Sequence, residues 1–214
     1  IVVLLNASSG QGKAPEAARL IEQMLKDAGR DARVELVEGG QRLRRLAGEA
    51  AAGGCAALLA GGGDGTINTA AAAVVGTDIP LGVLPLGTVN VFAREVRIPL
   101  KLEDAWQTLR AGRETLIDLG MVDYQENGVP ARRYFAQLAG AGLDARAIEL
   151  VDWRLKKKIG PLAYVVAGLR ALTESQSKIN VPNGKAEGAG ELVLIGNGSL
   201  YGGDFRLFPP ADMR

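Results

Sequence analysis

The amino-acid sequence predicts an α/β fold with two domains. Residues 1–115 alternate short apolar runs with helical segments, a pattern typical of a parallel sheet with helices packed on its faces. Residues 116–214 contain short strand-like runs separated by turns rich in Gly, Asn and Pro, which predicts a β-rich, sandwich-like second domain that we expect to be incomplete at its C-terminal end. The composition, 47% hydrophobic and 5% aromatic, is typical of a globular protein.

The first domain is predicted to contain four strands separated by helices. The strands are expected at 1–5, 33–37, 55–60 and 81–84, and the helices at 15–28, 43–52 and 66–75. Pro15 suits the first turn of its helix, and Gly29 suits the position just after that helix ends. In sheets of this kind ligands bind at the carboxyl ends of the strands, so the turns there are the candidate functional segments.

The second domain is predicted to contain strands at 116–122, 134–139 and 191–196. A helical region is expected at about 145–172, and the segment 183–190, rich in Gly and Ala, is expected to be a loop.

Charge and residue usage exclude several classes of function. The formal net charge of +1 gives no overall attraction to nucleic acid. Because the chain has no histidine, proton transfer must use carboxylates, Lys, Tyr or water. The single cysteine, Cys55, excludes an internal disulfide and a cysteine-rich zinc site, which fits a reducing cytoplasm. The apolar run at 1–5 is too short for a signal peptide or a membrane span, and we expect both chain ends to be trimmed.

The most informative segment is Gly61-Gly62-Gly63-Asp64-Gly65-Thr66, which lies between a predicted buried strand and a predicted helix. Glycines allow positive φ angles and a close approach of the backbone to a ligand, and the N–H groups at a helix N-terminus favour phosphate. A carboxylate there would repel phosphate unless it faces a metal ion or accepts a proton, so Asp64 indicates phosphoryl transfer. The alternative is that Asp64 simply caps the helix.

Two further turns follow predicted strands. The first, Asn6 to Lys13, lacks the first glycine and the Ser or Thr of a Walker A loop, and an ordinary strand-to-helix turn is the simpler interpretation. The other, Pro85 to Val91, contains Thr88 and Asn90; our default interpretation of Thr88 is an N-cap of the next helix. Three such turns at neighbouring strand ends together favour a nucleotide cleft.

These motifs resemble the catalytic domain of diacylglycerol kinases, in particular the bacterial YegS-like and the sphingosine-kinase-like lipid kinases. The main match is the pair of segments 62–68 and 85–90, and the Gly-Gly-Asp-Gly-Thr part alone also occurs in NAD kinases. Weaker matches extend the resemblance over nearly the whole chain, at 6–10, 160–164, 195–198 and 201–203.

The resemblance implies ATP-dependent transfer of the γ-phosphate to a lipid hydroxyl with Mg²⁺, in a cleft between an α/β domain and a β-sandwich domain. It implies that Asp64 acts at the reacting phosphate, as the base or through metal or water. The residues implied to line the ATP are Asn6, Ser8, Ser9, Gly10, Gly62, Gly63, Asp64, Gly65, Thr66, Ile67, Asn68 and Thr88.

Some positions depart from the family pattern. Ala7 replaces the usual proline, Val37 a frequent threonine, Val91 a frequent aspartate and Asp204 a common glycine. The metal ligands are unknown, and the family's late metal segment and base would lie beyond Arg214.

The candidate segment for lipid contact is Trp153 to Ile159, which joins three lysines to a predicted apolar helix. This segment suits contact with anionic lipid, although a solvated basic face over a core helix is the interpretation that we favour. We expect a cytoplasmic lipid kinase that visits the membrane surface and binds no nucleic acid, with a homodimer left open. The alternatives are a kinase of NAD or of another soluble alcohol, and a non-catalytic nucleotide- or lipid-binding module.

Overall fold

A computed structural model describes residues 1–12, 14–151, 166–167, 170–171, 173–174, 178–183 and 186–214. The strands are β1 Val2–Asn6, β2 Arg33–Val37, β3 Leu58–Gly62, β4 Leu81–Pro85, β5 Gly120–Glu126, β6 Val129–Phe135, β7 Leu138–Gly142, β8 Ile179–Asn183, β9 Ala186–Gly190, β10 Leu192–Gly196, β11 Leu200–Tyr201 and β12 Phe205–Arg206. The α-helices are α1 Ala14–Asp27, α2 Gly40–Ala52, α3 Asp64–Ala73, α4 Val91–Glu95, α5 Leu102–Arg110 and α6 Leu143–Glu149.

The first four strands form one parallel sheet in the order β2-β1-β3-β4. Each connection between them contains a helix, as parallel pairing requires. The later strands pair antiparallel, as β5 with β6, β7 with β10, β8 with β9 and β11 with β12. The predicted α/β fold class is therefore confirmed.

Alternate residues of the parallel strands bury opposite faces of the sheet, because side chains alternate along a strand. Val3 and Leu5 of β1 face one cluster, which contains Ile21 and Leu25 of α1 and Trp106 of α5. The intervening Leu4 faces the other cluster. That second cluster contains Leu43 and Leu46 of α2 and Ile67 and Ala70 of α3. The helices thus cover both faces and leave the carboxyl ends of the strands at one edge.

Two boundaries differ from the sequence prediction around the glycine run. The third strand ends at Gly62 rather than at Ala60, and the helix after it begins at Asp64 rather than at Thr66. Gly61 and Gly62 therefore belong to the strand, where ladder hydrogen bonds with β1 and β4 overcome the low strand preference of glycine. The helix α5, which the sequence analysis did not place, packs against β4.

The chain divides into two compact units, one formed by residues 1–137 and 197–214 and the other by residues 138–196. The first unit contains the parallel sheet, the β5–β6 hairpin and the β11–β12 pair. The boundary between two domains at residue 115, which the sequence suggested, stays a prediction.

In the second unit β7 and β10 pair in register from Gly142 opposite Leu192 to Leu138 opposite Gly196. The expected loop at 183–190 is wrong, because β9 occupies residues 186–190 and pairs with β8, so cross-strand hydrogen bonds override the local composition. The predicted helix at 145–172 begins as α6, and most of its remaining length lies outside the described residues. The segments 153–159 and 160–164, singled out in the sequence, also lie outside them.

Candidate active site

The strand order creates a crevice at the carboxyl ends of β1 and β3. The chain leaves β1 toward β2 on one side and leaves β3 toward β4 on the other, so the turns after β1 and β3 diverge to opposite faces of the sheet. A parallel sheet binds ligands where neighbouring connections diverge in this way. The turn after β4 lies beside the turn after β3, so the three predicted turns follow three adjacent strands.

The turn after β1 is organised by Asn6. Its side-chain oxygen accepts a hydrogen bond from the Ser8 N–H at 2.9 Å, and its carbonyl accepts one from the Ser9 N–H at 3.0 Å. The Asn6 amide nitrogen donates to the Thr66 hydroxyl at 3.1 Å, which ties this turn to α3. Gly10 follows with φ 68°, a left-handed conformation that glycine adopts without steric cost. Lys13, the cation of this loop, lies outside the described residues.

Gly61 and Gly62, the last residues of β3, are required by close packing rather than by positive φ, which corrects the expectation of positive φ from the sequence. A Cβ atom on Gly61 would lie 2.2 Å from Leu5 Cδ2, and one on Gly62 would lie 2.3 Å from the Thr66 hydroxyl oxygen. Gly63 has φ −89° and ψ −174°, an extended backbone. The missing side chains therefore let α3 start directly against the end of β3.

Helix α3 opens toward the crevice. Gly63 is the N-cap, and its carbonyl accepts hydrogen bonds from the N–H groups of Thr66 and Ile67 at 2.9 and 3.1 Å. The N–H groups of Asp64 and Gly65 come before these first bonds, in the turn where an α-helix leaves its donors without intrahelical acceptors. These donors and the helix dipole favour an anion at this end.

Asp64 does not cap α3, so the capping alternative is wrong: the residue is the first of the helix itself and lies one position after the N-cap. Its Oδ1 instead accepts a hydrogen bond from the Phe92 N–H, at 2.9 Å, in the first turn of α4. The side chain is half-buried. This contact fixes the carboxylate between the turn after β3 and the turn after β4.

The turn after β4 is built around Asn90, which is buried and left-handed with φ 55°. Asn90 Oδ1 accepts the Gly87 N–H and its amide nitrogen donates to the Gly87 carbonyl, both at 2.9 Å. Asn90 is also the N-cap of α4, so the interpretation of Thr88 as the cap is wrong; Thr88 is exposed. A Cβ on Gly87 would lie 2.5 Å from Gly63 Cα, so the two turns touch through their backbones.

The other predicted ligand-lining residues occupy different environments. Ile67 is buried in the core at 3% exposure, so its side chain is turned away from any ligand. Asn68 uses both of its polar atoms at the end of β6: its nitrogen donates to the Tyr134 carbonyl at 3.1 Å and its oxygen accepts the Ala136 N–H at 2.7 Å. Ser8, Gly65 and Thr88 are exposed, and Thr66 is buried. The contacts of these residues with ATP stay predictions.

The Mg²⁺ ion that the resemblance implies would need oxygen ligands from the side chains around the crevice. Across the described parts of the chain, no three His, Cys, Asp or Glu side chains gather closely enough to hold a metal ion by themselves. Mg²⁺ in phosphoryl-transfer sites is commonly held by one or two carboxylates together with phosphate oxygens. Asp64, which is half-buried at the edge of the crevice, is suited to be one of these carboxylate ligands.

A polar network beside the turn after β4 was missed by the sequence analysis. Glu95, the last residue of α4, accepts hydrogen bonds from the Gln137 amide, the Ser199 hydroxyl and the Leu200 N–H, at 2.8 to 2.9 Å. Burial alone would raise the pKa of Glu95, but these hydrogen bonds outweigh it and lower the pKa. The preceding Arg94 contacts Val89 and Asp204. Only two features of the sequence pointed to this network: Asp204, which replaces a common glycine, and the Asn197-Gly198 motif beside Ser199.

Comparison with known families decides the assignment. The family model described as the diacylglycerol kinase catalytic domain matches residues 1–122, which include the sheet and all three turns. The chain belongs to the diacylglycerol kinase catalytic-domain family. Proteins named "Probable lipid kinase YegS-like" in Yersinia pestis (strain Pestoides F) and Yersinia pseudotuberculosis serotype O:1b (strain IP 31758) are each 34% identical to it over 218 residues, which cover 99% of this chain and 70% of the relative. The predicted resemblance is confirmed.

Solved structures agree with this membership at the level of the fold. A crystal structure of a diacylglycerol kinase from Bacillus anthracis str. Sterne matches with a TM-score of 0.73 and 22% identity, covering 99% of this chain and 69% of that one. This likeness shows that the chain has the fold of that protein. Within the described residues, no helix has the length and the apolar character needed to cross a membrane.

Proposed function

We propose that this kinase-family member transfers the γ-phosphate of ATP to a hydroxyl of diacylglycerol or of a related lipid. The observation that carries the proposal is the meeting of three turns at the carboxyl ends of β1, β3 and β4, with the Asp64 carboxylate among them. Family membership and the "lipid kinase" names of the relatives support the acceptor class.

In the proposed complex the backbone does most of the binding. The N–H groups at the start of α3 face the phosphates, and Gly63 and Gly87 keep side chains out of the space at which the two turns meet. Asn6 holds the turn after β1 against Thr66, so Ser8, Ser9 and Gly10 can flank the nucleotide. Mg²⁺ would neutralise charge on the phosphate oxygens.

The reaction forms one bond and breaks one. The lipid hydroxyl oxygen bonds to the γ-phosphorus, the bond from that phosphorus to the bridging oxygen of ADP breaks, and the hydroxyl proton is released to a base or to water. Such a transfer depends mainly on positioning and charge neutralisation, with little covalent chemistry for the protein.

Asp64 is the proposed catalytic residue. The Phe92 N–H binds one carboxylate oxygen of Asp64. This hydrogen bond restricts rotation of the side chain and so fixes the direction of the second oxygen. In this position Asp64 would accept the hydroxyl proton, or would act through a metal ion or a water molecule. Both roles require an ionised carboxylate, so an amide of the same shape should fail in either.

We further propose that the protein is cytoplasmic and meets its substrate at the membrane surface. The single cysteine fits a reducing cytoplasm, and the lysines beside apolar residues at 153–159 suit contact with anionic lipid, with a solvated basic face as the alternative. Flotation with vesicles containing anionic lipid should recover more protein than flotation with zwitterionic vesicles. Equal recovery would contradict electrostatic docking.

The experiment for the activity is ATP turnover by the full-length protein with diacylglycerol in mixed micelles and Mg²⁺. Asp64→Asn should lower kcat at least about 100-fold, as expected when a group acting in the transition state is removed. Asp78→Asn is the matched control, because Asp78 is an exposed aspartate before β4, at the opposite end of that strand from the crevice. It should leave kcat unchanged.

Other outcomes identify the rival functions. Turnover with NAD or with soluble alcohols but not with lipids would indicate a soluble-substrate kinase. ATP binding without turnover of any alcohol would indicate a binding module. Full activity of the Asp64→Asn variant would remove Asp64 from the proposed mechanism.

A further inference from the structure

Helix α4 is a short connection between the candidate site and a distant part of the sequence. It has five residues and starts directly after the turn that follows β4. Its first turn donates the Phe92 N–H to Asp64 Oδ1 at 2.9 Å. The orientation of the proposed catalytic carboxylate therefore depends on where α4 lies.

A five-residue helix has little stability of its own, because helices shorter than about 12 residues are marginal in water. Its position must come from tertiary contacts. The backbone of Phe92 is held in part by burial of its ring, which is 4% exposed in the core. The polar contacts come from the two residues at the end of the helix, Arg94 and Glu95.

Arg94 fastens α4 on two sides. Its Nε donates to the Val89 carbonyl at 2.8 Å, in the turn before the helix. One terminal nitrogen, Nη1, lies 2.8 Å from both carboxylate oxygens of Asp204. Asp204 lies between β11 and β12, where a Cβ added to the preceding Gly203 would lie 3.7 Å from Val89 Cγ1.

The two members of this ion pair are unequally exposed. The Arg94 side chain is 30% exposed and the Asp204 side chain 77%. The Nε of Arg94 donates to the Val89 carbonyl, and Nη1 donates to Asp204. Because the guanidinium is planar, these two contacts together fix its orientation. Glu95 accepts two hydrogen bonds from the segment at Ser199 and Leu200 and a third from Gln137.

We propose that Arg94 is a positioning residue for Asp64, and that Asp204 fixes Arg94 in that role. The contacts form a chain from Asp204 through Arg94 and α4 to the Phe92 N–H and the Asp64 carboxylate. The inference rests on the proposed function, because it assigns to α4 the orientation of the group that acts at the phosphate. Arg94 itself touches no reacting atom.

The kinetic test separates positioning from nucleotide binding. Arg94→Gln and Asp204→Asn should each lower kcat about tenfold and leave KM for ATP within about twofold, since a displaced reacting group costs rate more than ground-state binding. Asp204→Glu, which keeps the carboxylate, should recover most of the lost kcat. A rise in KM alone would overturn the inference, because Arg94 would then act on the nucleotide turn only.

The double variant tests whether the two residues act as a unit. If they do, Arg94→Gln with Asp204→Asn should lower kcat no further than Arg94→Gln alone, because the second change removes an interaction already lost. Additive losses would contradict the proposed chain. Asp123→Asn is the control, since it breaks an exposed ion pair with Arg132 in the β5–β6 hairpin and should leave kcat unchanged.

A second measurement needs no activity. Hydrogen exchange at the Phe92 amide in the ligand-free protein should be faster in Asp204→Asn than in the wild type, while the amide of Ala60 in β3 should be unaffected. Unchanged exchange at Phe92 would overturn the inference. If the wild-type protein phosphorylates no lipid hydroxyl, the proposed function fails; if Asp64→Asn is inactive while both Arg94 and Asp204 variants retain wild-type kcat, the positioning role alone fails.

Discussion

The turns at the ends of the parallel strands and the β5–β6 hairpin use polar groups in opposite ways. In the turns, polar side chains bond to backbone atoms and are partly or fully buried, as with Asn90 on Gly87 and Asp64 on Phe92. In the hairpin, charged side chains pair with one another at the surface, as with Arg132 and Asp123, which are 54% and 59% exposed.

This difference determines where a substitution should matter. A buried polar group that loses its partner carries the full desolvation penalty, whereas an exposed ion pair is solvated with or without its partner. The turns should therefore be sensitive both in stability and in activity, and the hairpin should tolerate change. Substitutions in the two regions therefore differ in the size of their expected effects.

The largest loss of stability is expected for Gly87→Ala. The new Cβ would lie 2.5 Å from Gly63 Cα, a backbone atom that cannot move away cheaply, and 2.6 Å from Asn90 Oδ1. Overpacking of this kind should lower the free energy of unfolding by about 3 kcal/mol, which urea denaturation would measure. Gly65→Ala is the control: it meets no atom within 4 Å and removes a helical glycine, so it should raise stability by about 0.5 kcal/mol.

The Gly65→Ala variant also separates folding from binding. Gly65 is exposed at the opening of α3, where the proposed phosphates lie. The variant should therefore fold normally and bind ATP more weakly, as isothermal titration calorimetry would show. Unchanged affinity would place the phosphates away from this helix end.

A smaller loss is expected for Asn68→Ala. It removes two hydrogen bonds, to the Tyr134 carbonyl and from the Ala136 N–H, and should cost about 2 kcal/mol of unfolding free energy. Asn68→Asp keeps the acceptor for the Ala136 N–H but places an oxygen against the Tyr134 carbonyl, so it should also be less stable than the wild type. Equal stability of all three would show that these bonds carry no net free energy.

The sequence predicted the sheet and the location of the three turns, because local patterns of apolar runs, glycines and caps fix them. It failed where distant contacts decide. Asp64 and Thr88 both suited N-caps by local rules, yet Gly63 and Asn90 occupy those positions. The partner of Asp64 is 28 residues away, and no local pattern could have indicated it.

The same limit applies to the glycines and to Glu95. The glycine run was attributed to positive φ angles and to close approach to a ligand, but Gly61 and Gly62 are required by their contacts with Leu5 and Thr66. The contact with Leu5 depends on the register of β1 beside β3. Glu95 had no recognisable motif, since its partners at 137, 199 and 200 come together only through the fold.

Glu95→Gln should lower stability by about 1 kcal/mol at neutral pH, because charge-assisted hydrogen bonds become neutral ones. The folded-state pKa of Glu95 is lowered below its ordinary value of 4.5, so its contribution is present above that value and is lost as the pH falls through the folded-state pKa. Thermal unfolding of both proteins from pH 7 to pH 3 should show a difference in midpoint that narrows as the pH falls below 4.5. A gap that stays constant across this range would contradict the ionised state of Glu95.

The smallest effect is expected in the hairpin, for Asp123→Asn. The Arg132 guanidinium holds the pKa of Asp123 below its usual range through two hydrogen bonds, so the sign of the contribution is the same as for Glu95: present at neutral pH and lost in acid. Because both groups are exposed, solvent and salt screen the pair, and the wild type and the variant should have indistinguishable thermal midpoints at physiological ionic strength. A clear loss of stability would remove the contrast between the two regions, since a surface pair would then matter as much as the buried hydrogen bonds around the site.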